Sequence, residues 1–369
     1  MQFTIEREHL LKPLQLINGV VERRQTLPIL GNVLLAVKDK ILSLTGTDLE
    51  VELTYHTKVQ KASSEGDVTV PARKLFDICR SLPEGSKLNV KVDHHKLYLN
   101  AATSRFSLST LPAPEFPRAK EATDGITITL DVAQLKQMIE RTQFAMAQQD
   151  VRYYLNGSLW QIEKNVLTTV ATDGHRLALC KIPITNQDDP DTAKVIISRK
   201  AILEIARIIQ DLDKTINIVI GANHVRIVGD DFVLTSKLID GRFPDYQNVV
   251  PRNGQNELKI ERDILKPVLA RVAILSNEKY RGVRLSLEQN LLKVMANNPE
   301  HEEAEELIDV EYSAETMEIG LNVNYLQDAL NTMPVGKALF TFSAADRSVL
   351  IEHENDSLEA LNVVMPMRL

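Results

Sequence analysis

Apolar positions along this chain follow a period of two, then switch to a period between three and four, and the switch occurs three times. FTIEREHLLKPLQLI from Phe3, ITITLDVAQLKQMIERT from Ile126 and LKIERDILKPVLARVAIL from Leu258 each begin as an alternating strand and continue as an amphipathic helix. Strand pairs then turn at LTGTDLE from Leu44, VATDGHR from Val170 and VMANNPE from Val294, so Thr47, Thr172 and Asn297 recur at equal spacing. A further strand enters a second helix in VPARKLFDICRSL, ISRKAILEIARII and LNVNYLQDALNTM. The pattern predicts helices over 6–24, 72–82, 131–147, 199–210, 261–276 and 322–333.

This ordered repetition implies an α+β chain of three tandem copies. Each copy, about 123 residues long, is expected to be an antiparallel sheet of short strands with two helices on one face. The polar, turn-prone stretches EATDG and PRNGQ place the domain boundaries, giving 1–124, 125–253 and 254–369.

Charge sharpens the picture. The 369 residues carry 43 Lys and Arg against 50 Asp and Glu, a net −7, which argues against a protein that coats nucleic acid with its whole surface. The six predicted helices nevertheless hold 15 basic and 10 acidic residues, and the remainder 28 and 40. If the helices share a face, that face is basic and the rest acidic, an arrangement suited to a polyanion held on one side. The same residues also fit solvated helix faces with i to i+4 partners. Cys79 and Cys180 are too few for a disulfide framework, and Cys79 sits on an apolar helix stripe as a core residue would. Glu6, Arg7 and Glu8 stand where a signal peptide would be apolar, so a cytoplasmic protein with no membrane segment is expected.

Catalytic patterns are sparse: no phosphate-binding loop, dinucleotide fingerprint, HExxH or GxSxG occurs. No cofactor or metal is implied. Within TDGHR, Asp173 and His175 would share a strand face and could form an acid–base pair, which keeps a hydrolytic enzyme open as an alternative. A wall or structural histidine also fits. The acidic run PEHEEAEE fits a solvated patch or a basic partner as readily as a cation site. A DNA-binding regulator is the other alternative, although no helix-turn-helix pattern supports it.

The segments EREHLLKPLQ, TLPILGN, LSLTGTDLE, FDICR, SRFSLSTLPA, QDVRYYLNG, TVATDGHRLA, DGRFPDY, AILSNEK, ANNPE and VVMPMRL, in this order over the whole length, resemble the bacterial DNA polymerase III beta subunit family, the replicative sliding clamps. The resemblance implies a head-to-tail homodimeric ring around duplex DNA with helices lining the hole. It implies a non-catalytic processivity factor, bound without sequence preference. Expected partners are the DNA polymerase III alpha subunit, a clamp loader, and other polymerases and repair proteins carrying short linear peptides.

By the same resemblance, Arg24, Arg73, Arg80, Gln149, Arg152, Tyr153, Tyr154 and Arg199 would face DNA. A partner cleft would comprise Leu155, Thr172, Gly174, His175, Arg176, Leu177, Pro244, Val249, Tyr325, Ser348, Val363, Val364, Met365, Pro366, Met367 and Arg368. Lys74, Arg105, Phe106, Leu108, Ile274, Leu275, Glu300 and Glu303 would join the two subunits. Gln247 and Asn248 stand where relatives often carry basic residues, which bears on peptide selectivity. The apolar tail itself argues for a docking place rather than a frayed end.

Overall fold

The computed structural model describes residues 1–21, 27–119, 125–184, 192–251, 254 and 256–368. Among these residues six α-helices form where the periodicity places them. They are α1 (Arg7–Val20), α2 (Ala72–Ser81), α3 (Val132–Thr142), α4 (Arg199–Ile209), α5 (Arg262–Val272) and α6 (Val323–Thr332). The expected ranges overrun because α3 and α5 tighten at their ends into single 3-10 turns, Gln143–Ala145 and Ala273–Leu275. In α2, Ala72, Leu75 and Cys79 are buried, which leaves Arg73, Lys74 and Arg80 exposed on the other side.

The expectation of one sheet per copy is not met. The strands of each copy divide between two sheets, and α1 and α5 each pack against strands of both. Thus α1 contacts Ile41–Thr47 and Val51–Lys58 of one sheet and Gln2–Glu6 of another. Likewise α5 contacts Leu291–Asn297 and Glu303–Asp309 of one sheet and Asn256–Glu261 of another. Leu10, Leu14, Ile17 and Val20 of α1 are accordingly buried, as are Leu265, Val268, Leu269 and Val272 of α5.

Two compact units result, and they cut across the sequence repeats. One contains residues 1–132 and 200–238, the other 133–199 and 239–369. The first unit holds a five-stranded and an eight-stranded sheet. The eight-stranded sheet forms where Phe232–Lys237, from the second copy, pairs antiparallel with Val51–Lys58, from the first. The second unit holds a four-stranded and an eight-stranded sheet, the latter joined by Arg176–Pro183 against Glu359–Val364. The five-stranded sheet ends at Ser104–Ser109 and the four-stranded sheet at Glu303–Asp309. Both are edge strands.

The cores are dominated by large apolar side chains. Trp160 is buried between strands, and Phe340 and Phe342 stack at 6.3 Å in the third copy. Cys79 and Cys180 are free and buried, and burial pushes both thiols up to about 12, so each serves as a small core residue. No described helix is long and apolar enough to cross a membrane.

Strand packing leaves no room for a side chain at Gly157. A Cβ on Gly157 would lie 2.4 Å from the Ile197 carbonyl oxygen of the neighbouring strand, whereas one on Gly31 would meet nothing within 4 Å. Gly157→Ala is expected to lower unfolding free energy by about 1–3 kcal/mol through forced strand separation. Gly31→Ala should change it by less than about 0.5 kcal/mol. Denaturant midpoints of the two variants check the contrast.

Candidate partner-binding cleft and nucleic-acid-facing residues

The turn Thr172–Arg176 is wound by its own side chains. Thr172 Oγ1 donates to the Arg176 carbonyl (2.5 Å) and accepts from the Gly174 N–H (3.1 Å). Asp173 Oδ1 accepts from the N–H groups of His175 (2.9 Å) and Arg176 (3.0 Å). Gly174 has φ +89, a left-handed conformation that glycine adopts without Cβ strain.

This geometry overturns the acid–base pair. His175 belongs to the turn, ahead of the strand Arg176–Pro183, so it does not share a strand face with Asp173. The Asp173 carboxylate is occupied by backbone N–H groups and by Arg176 Nε at 3.1 Å, and the His175 side chain is exposed. The hydrolytic alternative has no site here.

Beside the turn lies a cleft of about 190 Å³. Of the residues expected there, Leu155, Thr172, Gly174, Arg176, Leu177, Pro244, Val249, Val363 and Met365 line it. Leu177 and Val363 face each other across the strand junction, which sets two buried apolar side chains at its floor. The tail is tied down: Met365 N–H donates to the His175 carbonyl (2.9 Å) and Met367 N–H to that of Gly320 (2.8 Å). Pro366 lies beyond the last strand, Glu359–Val364, where its missing N–H removes no ladder bond.

The other expected cleft residues do not line the cavity. Val364 turns into the core that contains Phe340 and Phe342, because successive strand residues point to opposite faces. Tyr325 lies under the Arg176 guanidinium, 4.5 Å from ring centroid to Cζ, as a support. His175 and Arg368 are exposed, and Ser348, Pro366 and Met367 are half-buried outside the wall.

Arg176 anchors the cleft wall. Its guanidinium donates to Asp328 Oδ2 (2.5 Å) on α6 and to the Phe144 carbonyl (2.6 Å). Three residues the sequence did not assign to the cleft also line it: Tyr246, Arg152 and Tyr154. The DGRFPDY segment, which carries Pro244 and ends at Tyr246, was the available signal for Tyr246. Arg152 and Tyr154 stood among the DNA-facing residues, and the structure sets both beside the cleft. Arg152 forks onto Asp150 (3.0 and 2.9 Å) and reaches the Asp173 carbonyl (3.2 Å). It fits there because Gly174 has no side chain: a Cβ would lie 2.9 Å from its guanidinium.

The remaining DNA-facing candidates belong to both units. Arg73 and Arg80 project from α2 and share Asp77 at 3.9 and 3.3 Å. Tyr153 is 58% exposed and edge-on to Tyr154, and Gln149 occupies the left-handed region at φ +55. Arg199 is half-buried at the start of α4 and donates to the Met146 carbonyl at 3.2 Å. Arg24 lies outside the described residues.

Four of the intersubunit candidates lie on two edge strands. Arg105, the half-buried Phe106 and Leu108 belong to the edge strand Ser104–Ser109, and Glu303 opens the edge strand Glu303–Asp309. Ile274 is 74% exposed in the 3-10 turn after α5, with Leu275 half-buried beside it. Lys74 and Glu300 are exposed.

The Arg152 side-chain hydrogen bonds hold the Asp150 carboxyl down at about 2, against an ordinary 3.8. A depressed carboxyl stabilises the folded state above pH 3.8, and that contribution is lost as pH falls towards 2. Carboxyl-carbon NMR should therefore find the Asp150 midpoint near 2, moving up towards 3.8 in Arg152→Ala.

Comparison with known proteins follows the same division into three. The family models for the N-terminal, central and C-terminal domains of the DNA polymerase III beta subunit match residues 1–120, 129–245 and 247–368. The beta sliding clamps of Pseudomonas putida and Escherichia coli K12 are each 51% identical over 369 residues, covering all of both chains. The crystal structure of the DNA polymerase III subunit beta from Pseudomonas aeruginosa superposes with a TM-score of 0.96 at 50% identity over both full chains. A sliding clamp from the same organism, solved bound to griselimycin, gives 0.95. With three clamp domains in tandem along its whole length, the chain belongs to the beta sliding clamp family, the processivity subunits of DNA polymerase III.

Proposed function

We propose that this chain is a cytoplasmic DNA sliding clamp whose domains span 1–124, 125–253 and 254–369, and that two copies close head to tail around duplex DNA. One observation carries the reading: the same strand junction is made twice within the chain, and the two strands that would make it a third time are open edges. Ser236 faces Val51 at the first junction and Val364 faces Arg176 at the second. Matched through their neighbouring strands, Leu108 occupies the place of Ser236 and Val364. Glu302 occupies the place of Val51 and Arg176. Pairing one copy's Ser104–Ser109 with the other's Glu303–Asp309 in this register sets Phe106 opposite Ala304 and Arg105 opposite Glu305.

This register satisfies the exposed backbone groups of both edges and pairs opposite charges. Ile274, Leu275, Lys74 and Glu300 would add contacts beside the strands. A ring holds DNA by topology, so contacts from Arg24, Arg73, Arg80, Gln149, Arg152, Tyr153, Tyr154 and Arg199 can stay weak enough for sliding. A separate loader would open the ring, since the sequence has no nucleotide-binding loop. The cleft would tether the polymerase alpha subunit and other replication and repair proteins by short peptides, with Leu177, Val363 and Met365 taking their apolar residues.

Reversing the edge charge tests the register. Arg105→Glu should shift the protein from dimer to monomer in sedimentation velocity, and adding Glu305→Arg should restore the dimer. A loaded dimer should remain on closed circular DNA at raised salt and leave when the circle is cut; a regulator bound to one face would not depend on linearisation.

The cleft is tested by its tail. Deleting residues 365–369 should leave the dimer intact and abolish binding of a fluorescent partner peptide, while Leu177→Ala should weaken binding by about 1–3 kcal/mol.

A further inference from the structure

The first strand junction carries a second cavity, of about 270 Å³, built on the scaffold of the cleft. Thr47 Oγ1 donates to the Val51 carbonyl (3.0 Å) and accepts from the Leu49 N–H (3.0 Å), while Asp48 Oδ1 accepts from Glu50 and Val51 N–H (2.9 and 2.7 Å). These are the bonds that wind Thr172–Arg176. Lys237 N–H donates to the Glu50 carbonyl (2.9 Å) as Met365 N–H donates to that of His175. Glu52 faces Thr235 as Leu177 faces Val363, and Pro117 follows Phe116 as Pro244 follows Phe243.

The lining differs in two positions that decide chemistry. Glu52 replaces Leu177 at the floor, and Lys237 replaces Met365 at the rim. The half-buried Glu52 carboxylate accepts one bond from its own chain, from Ala119 N–H at 2.8 Å, although an ionised carboxylate can accept about four. Burial raises its pKa against the pull of that bond and of Arg118. Val51, Pro117 and Leu49 keep the walls apolar. Leu49 is itself informative: it is 44% exposed and held at φ +78, where the twin turn has glycine. A leucine kept in that strained conformation, with its side chain at the cavity, is a feature found where a ligand is met.

We propose that this cavity is a second peptide site, taking an extended segment of a partner protein that sets a lysine or arginine, flanked by apolar residues, on Glu52. Arg118 and Lys237 are exposed at the rim and favour an acidic residue beside that cation. Apolar peptides of the kind the cleft takes are rejected, because they would desolvate the Glu52 carboxylate while adding nothing to its single hydrogen bond from Ala119 N–H. This selectivity argument rests on reading the Leu177 cleft as a peptide site.

Two fluorescein-labelled peptides test it, ELKLFG and GLLLFG, titrated by anisotropy with the full chain. In Leu177→Arg, where a cation at the floor disables the cleft for both peptides, ELKLFG should still bind one per chain. Adding Glu52→Gln, which keeps the side-chain shape and the Ala119 bond, should weaken it at least fivefold, and Glu52→Leu at least tenfold. GLLLFG should lose binding in Leu177→Arg and regain it when Glu52→Leu and Lys237→Met are added. Absent ELKLFG binding to Leu177→Arg, or affinity unchanged by Glu52→Gln, overturns the second site. GLLLFG binding that survives Leu177→Arg instead overturns the cleft reading and leaves the Glu52 comparison standing.

Discussion

An unpaired strand edge is the constraint on which the rest of this structure depends. Backbone N–H and C=O groups at a sheet edge seek partners, and proteins either blunt such edges or use them. Here four-strand halves are completed by strands from the next copy, Phe232–Lys237 against Val51–Lys58 and Arg176–Pro183 against Glu359–Val364. Within each unit a ladder thereby crosses a repeat boundary, and Ser104–Ser109 and Glu303–Asp309 are among the strands left at sheet edges. Assembly with a second copy then needs no new kind of contact.

The same junction explains where the cleft lies. A junction brings a turn from one copy against the end of a strand from the next, and the Thr–Asp pair winds that turn the same way in both places. The scaffold fixes backbone positions; the side chains at Glu52 and Leu177, or Lys237 and Met365, set what can be bound. Arg176 shows how the wall is kept in place, with Asp328 and the Phe144 carbonyl satisfying its guanidinium and Tyr325 supporting its face. Such a fully partnered cation is a positioning group, and its burial is tolerable because its donors are used.

Triplication, the six helices and the burial of Cys79 were legible in the sequence because each is a local periodic signal: alternating strands and apolar helix stripes follow from residue order alone. The motif TDGHR likewise determined its turn, since the bonds that wind it, made by the Thr172 and Asp173 side chains, close within five residues. Much of the cleft lining was legible too, through the resemblance carried by the segments around Leu177, Pro244 and Val363. Which strands close each sheet was decided only by the tertiary structure, because pairing across copies depends on edges brought together from distant sequence. That pairing divided each copy between two sheets and set Leu177 opposite Val363 at the cleft floor. It also sent Val364 into the core while Val363 faces the cavity, since a strand's pleat assigns neighbouring side chains to opposite faces only once its partners are fixed.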